Sequence, residues 1–189
     1  MLRSFIVAFA AAVCLATSAG ATTYESVTFN ELVARADVIF IGEVIDVRPF
    51  ALDTRDGRII KTRVTFRVSD PVWGTTSSLE LLEFLGGELD GIGLEVAEMP
   101  KFSVGDRRVV FARRERSVSP IVGFRQGLFQ ITRDRSGVDR VLTIDGLPLE
   151  RPENLGTRSP ALTPVGGTPM RLADFRDRIS RTLAAARRR

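Results

Sequence analysis

Apolar and polar positions change period several times along the chain, and each change marks an element. Residues 26–36 place Phe29, Leu32 and Val33 at i, i+3 and i+4, the apolar face of a short helix. Thr28 is its predicted cap, with Glu31 in the capping-box position three residues on. Residues 37–48 are β-branched and apolar. Val38 to Ile41 is apolar on both faces, and Glu43, Asp46 and Arg48 interrupt the pattern beyond Gly42. A glycine inside a strand predicts a bulge or sharp coil, and Pro49 is predicted to end the strand. Within 61–70, Val64, Phe66 and Val68 alternate with Arg63, Thr65 and Arg67, the period of a half-buried strand. Asp56-Gly57 predicts a hairpin before it; Pro71 and Gly74 are predicted to end it, with Trp73 capping the core. Residues 79–85 form a third strand stopped by Gly86-Gly87, and the glycine-rich stretch through Leu94 predicts a loop. Residues 107–114 center on apolar Val109 to Ala112. Strands at 127–133 and 138–144 flank the turn Asp134 to Gly137.

The flanks have a different texture. Residues 151–169 are rich in Pro, Gly, Thr and Ser without periodicity and predict an exposed linker. Residues 170–186 predict a helix capped by Thr168, with Pro169 at its first position. Leu172, Phe175, Ile179 and Leu183 form one narrow apolar stripe, and the basic residues of 170–189 lie off it or at its end. At the other end, Arg3 precedes the apolar run 4–16, and Ala19-Gly20-Ala21 has the small-x-small form of an export cleavage site. The expected organisation is a signal peptide over 1–21, a β-domain over 22–150, the linker, and a basic amphipathic helix over 170–189. Export places the expected site of action in the periplasm or outside the cell.

Composition then removes chemistry. The chain has no histidine, and its single cysteine, Cys14, falls inside the signal. A Ser–His–Asp site, a Cys–His site and a zinc held by His or Cys are therefore excluded. No disulfide can staple the exported form, so its stability has to come from an apolar core. The net charge of +4 is unevenly placed. Ser26 to Glu150 holds 17 Lys/Arg against 19 Asp/Glu, whereas Arg151 to Arg189 holds 9 Arg against 3 acids. The basic balance belongs to the C-terminal segment, which argues against a nucleic-acid partner for the β-domain.

Short strands, a glycine-interrupted first strand and a long loop before the fourth suggest a mainly β fold, a small closed OB-type barrel with an extra hairpin. Ala36-Asp37-Val38-Ile39-Phe40-Ile41-Gly42-Glu43-Val44 resembles the opening of netrin-like domains, shared by tissue inhibitors of metalloproteinases. The resemblance continues through Val64 to Gly74 and again at Gly105 to Phe111, and covers roughly residues 22–116. It extends to exported bacterial proteins of this layout. It implies a non-enzymatic binding module without cofactor or metal, engaging an exported protein, with a secreted protease as one partner class. In the animal inhibitors an N-terminal cysteine chelates the protease zinc and disulfides hold it rigid. Here Thr22, followed by Thr23 and Tyr24, stands at the equivalent terminus with no cysteine to pin it.

Other constellations compete with plainer readings. Glu88, Asp90, Glu95 and Glu98 form either a carboxylate site for hydrolysis or calcium, or a solvated acidic loop, and their spacing matches no standard calcium loop. Arg63 and Arg67 on one strand, and Arg107, Arg108, Arg113, Arg114 and Arg116 around another, either line an anion-binding face or pair with neighbouring acids. The net-acidic balance favours pairing. Arg176 and Arg178 on the terminal helix are candidates for contact with an anionic polymer, a lipid surface or a partner. The helix itself is expected to dock its stripe on the domain.

Overall fold

A computed structural model describes residues 25–55, 57–74, 77–115, 117–156 and 167–186. The signal region falls outside them, as do Thr22, Thr23, Tyr24 and Arg116. Helix α1 (Phe29–Arg35) starts where the sequence places it. Thr28 Oγ1 accepts from the Glu31 backbone, and the Glu31 carboxylate accepts from the Thr28 backbone at 2.9 Å. The bond from the Thr28 N–H holds the Glu31 carboxyl below its usual range. Strands β1 (Val38–Thr54), β2 (Gly57–Trp73) and β3 (Leu79–Leu85) follow. A small hairpin, β4 (Gly87–Leu89) and β5 (Ile92–Leu94), comes next. Then come β6 (Arg107–Ala112), β7 (Leu128–Arg133), β8 (Asp139–Thr143) and helix α2 (Leu172–Ala186).

Six strands make one antiparallel sheet in the order β3-β2-β1-β6-β7-β8. β1 and β6 lie at its centre and are apolar on both faces, because each face carries a core. Ile39, Ile41, Val109 and Phe111 join the cluster under the helices, and Val38, Phe40, Val110 and Ala112 join the cluster on the other side. Gly42 sits at a register shift between β1 and β2. A Cβ there would lie 2.9 Å from the Arg67 carbonyl oxygen and 3.3 Å from the Phe40 ring, so the close approach at this bulge requires glycine.

The structure departs from the sequence expectation at several points. Pro71 lies inside β2, opposite Phe40, rather than ending it. α2 begins at Leu172, so Thr168 and Pro169 do not stand at its cap and first position. Pro49 does not end β1 but pairs opposite Thr62. β1 contacts β6 only through Val38–Glu43, so its far half has a single strand neighbour and tolerates a residue with no N–H. Residues 87–94 are not a loop but the β4–β5 hairpin, whose turn places Asp90 at φ 53° and Gly91 at φ 75°, the pair of positive angles that Asp-Gly favours. The sheet is also not closed into a barrel, since β3 and β8 are its edges. It curls far enough for one segment to bridge its distant parts. Ile121 pairs with Ala112 of β6, and the Leu85 N–H of β3 donates to the Val118 carbonyl at 2.9 Å.

α2 docks on the face shared with α1. Phe175 and Ile179 are fully buried, with Leu172 and Leu183 packed at the margin. The Phe175 ring lies 5.1 Å from Phe129, 5.8 Å from Phe29 and 6.3 Å from Phe111. Residues before the helix are tied to the sheet: the Met170 N–H donates to the Leu149 carbonyl and the Val141 N–H to the Met170 carbonyl. Of the stretch read as a linker, Pro152–Asn154 forms one 3-10 turn with Pro152 buried, and residues 157–166 lie outside the described set. Among the described residues no helix is long and apolar enough to cross a membrane.

Candidate functional site

A cavity of about 640 Å3 opens at one end of the curled sheet. Val47 of β1, Phe84 of β3, Met99 and Phe102 give it an apolar floor. Phe102 is held from two sides: its ring meets Phe84 at 4.9 Å and Phe66, edge-on, at 5.8 Å. The β4–β5 hairpin forms one wall through Gly86, Gly87 and Leu94, and the segment Val96 to Pro100 forms another. Glu88, Glu95 and Lys101 are exposed at the rim. A volume in the range of about 300–1,000 Å3, with an apolar floor beneath a polar rim, suits a small ligand or an inserted side chain.

Two glycines let the hairpin fold over this opening. Gly86 and Gly87 have φ of 102° and 136°, angles that L side chains rarely adopt. A Cβ on Gly87 would lie 2.5 Å from Thr62 Oγ1, and one on Gly86 would lie 2.8 Å from the Leu94 carbonyl oxygen. Thr62 Oγ1 donates to the Gly86 carbonyl at 2.7 Å, which fixes the hinge to β2. The other wall is pinned elsewhere. Glu98 pairs with Arg125 at 2.9 Å, and Arg125 also pairs with Asp145. Gly105 and Asp106 then exchange backbone bonds with Val44 at 2.8 Å.

The four candidate carboxylates are thus divided. Glu88 and Glu95 stand at the rim, Asp90 sits in the hairpin turn, and Glu98 is engaged by Arg125. Among the described residues no group of three or more His, Cys, Asp or Glu is placed to hold a metal ion. Thr62, the hydroxyl at the cavity, directs its proton to the Gly86 carbonyl.

The arginines are mostly paired. Arg63 reaches the Glu83 carboxylate with Nη2 at 2.8 Å and lies 4.8 Å over the Phe50 ring. Arg67 is exposed on the same strand, opposite Glu43 on one side and Leu79 on the other. Arg176 binds Asp70 at 2.8 Å, which raises the pKa of its guanidinium, and Arg178 pairs with Glu153 at 3.2 Å. Arg107 spans from β6 to β8 and grips Asp139 with two bonds of 2.9 and 2.7 Å. That grip, joined by Arg133, holds the Asp139 carboxyl well below the usual range. Asp134, bonded by Ser136, Arg140 and the Val138 N–H, is held low in the same way. Arg108 is buried, donating to Asp106 at 2.7 Å, and its Nε has no partner among the described residues. Arg63 and Arg67 share a strand, and Arg176 and Arg178 lie on α2 and face other partners, so the four do not converge on one site.

Comparison with family models, with curated proteins and with solved structures gives no match to the chain.

Proposed function

We propose that the chain is an exported, non-enzymatic binding module that engages a protein partner in the cell envelope or outside the cell. The partner inserts an apolar side chain into the cavity between the β4–β5 hairpin and the Val96–Pro100 wall. One observation carries this reading: a cavity of about 640 Å3 with a floor of Phe84, Phe102, Met99 and Val47, open to solvent and bordered by the Gly86-Gly87 turn that Thr62 ties to β2. A preformed apolar socket lowers the ordering cost of association. The netrin-like resemblance supports a curled, OB-type scaffold and makes a secreted protease the partner class to look for first. A binding role for the basic C-terminus toward anionic polymer or lipid is less supported, because Arg176 and Arg178 are engaged by Asp70 and Glu153.

The test is capture from the exported protein fraction at physiological salt, with wild type and with Met99→Trp, which puts a larger, rigid ring on the cavity floor. A partner held by wild type and released by Met99→Trp supports the proposal. Equal capture by both proteins, or no capture by either, overturns it.

A further inference from the structure

Charge at the cavity mouth specifies more than an apolar occupant. Several arginines elsewhere are neutralised by carboxylates close by: Arg63 by Glu83, Arg107 by Asp139, Arg125 by Glu98 and Asp145. Three charged side chains line the mouth, Glu88, Glu95 and Lys101, and none of them forms an ion pair among the described residues. Two carboxylates against one ammonium leave the rim net negative, directly above a floor of Phe84, Met99 and Phe102. Fields from exposed charges reach over about one screening length, about 10 Å at ordinary salt, so a charged rim discriminates by the sign of the head group that enters the cavity. Glu88 lies on β4 and Glu95 directly follows β5, whereas Lys101 follows the Val96–Pro100 wall.

We infer that the cavity selects an amphipathic cation: a partner segment presenting an apolar side chain beside a Lys or Arg. This rests on the cavity being the binding site, and it adds the chemistry of the occupant. Selectivity comes from the rim, whereas affinity comes from the floor. The two contributions are therefore separable by substitution.

The experiment titrates the full chain, labelled with carbon-13 at its methionine methyls, with three probes of equal tail length: octyltrimethylammonium, octanoate and octanol. All three are expected to shift the Met99 methyl resonance. The ammonium is expected to bind at least threefold more tightly than octanoate. Glu88→Gln/Glu95→Gln should close that gap while leaving the octanol Kd within twofold, and Lys101→Met should widen it. Octanoate binding as tightly as the ammonium, or a gap that survives the double substitution, overturns the inference while octanol binding keeps the cavity reading. If no probe moves the Met99 methyl, the cavity reading falls with it.

Discussion

Phe175→Ala tests whether the terminal helix belongs to the folded domain. The Phe175 side chain is fully buried against Phe29, Phe111 and Phe129, with centroids 5.1 to 6.3 Å away. Truncating a buried phenylalanine typically costs about 3–5 kcal/mol, from lost transfer energy and the cavity left behind. This site stands near the middle of that range, because one wall, α2, can settle inward while the sheet cannot. A loss of about 4 kcal/mol is a large share of the roughly 5–15 kcal/mol that holds such a domain together. With a urea slope of about 2 kcal/mol/M, the midpoint moves down by about 2 M. Equilibrium urea unfolding followed by circular dichroism measures this directly. Arg181→Ala, at an exposed position of the same helix, serves as control and should stay within about 0.5 kcal/mol of wild type. A shift for Phe175→Ala below about 0.5 M would show that α2 contributes little to the domain, and the docking described above would be wrong.

Three further outcomes follow from the packing and the charges. Gly42→Ala drives a Cβ to 2.9 Å from the Arg67 carbonyl and should cost about 1–3 kcal/mol, whereas Gly93→Ala meets nothing within 4 Å and should cost under about 0.5 kcal/mol in the same urea assay. Asp139 titrates lower in the folded chain than in the unfolded one. Its contribution is therefore present above the unfolded value of about 3.9 and lost as pH falls through the folded value. Asp139→Asn should flatten the fall in urea midpoint below about pH 5, and an unchanged acid profile would refute the role of Arg107 and Arg133. Arg108 is buried, with its Nε unpartnered among the described residues, so Arg108→Met should be neutral or stabilising, while Asp106→Ala, which strands that cation, should be clearly destabilising by thermal melt.

Local signals were legible where local chemistry decides the outcome. The capping box at Thr28 and Glu31, the alternation of Val64, Phe66 and Val68, and the Leu172, Phe175, Ile179 and Leu183 stripe each match an element and its buried face. The doubly apolar start of β1 correctly signalled burial on both sides, and Gly42 its bulge. The β4–β5 hairpin was legible in principle, since Asp90-Gly91 between Leu89 and Ile92 is a turn signal, but the surrounding glycines masked it. Pro49 misled because proline excludes only a central strand, and whether β1 is central at that point depends on where β6 stops pairing. The cavity had no local signature. It joins Val47, Thr62, Phe84, Met99 and Phe102, which only the curl of the sheet brings together. Whether the sheet closes is likewise a long-range matter: segment 117–121 reaches β3 at Val118, yet β3 and β8 remain the edges of an open sheet.

The central claim is that a partner enters the cavity between the β4–β5 hairpin and the Val96–Pro100 wall. A photo-crosslinking side chain placed at Leu94, on the cavity wall, and separately at Leu147, an exposed position that does not line it, tests this in the exported fraction. The account predicts a single covalent adduct from position 94, suppressed by octyltrimethylammonium, and none from position 147. An adduct from position 147 alone, or equal adducts from both, would contradict it.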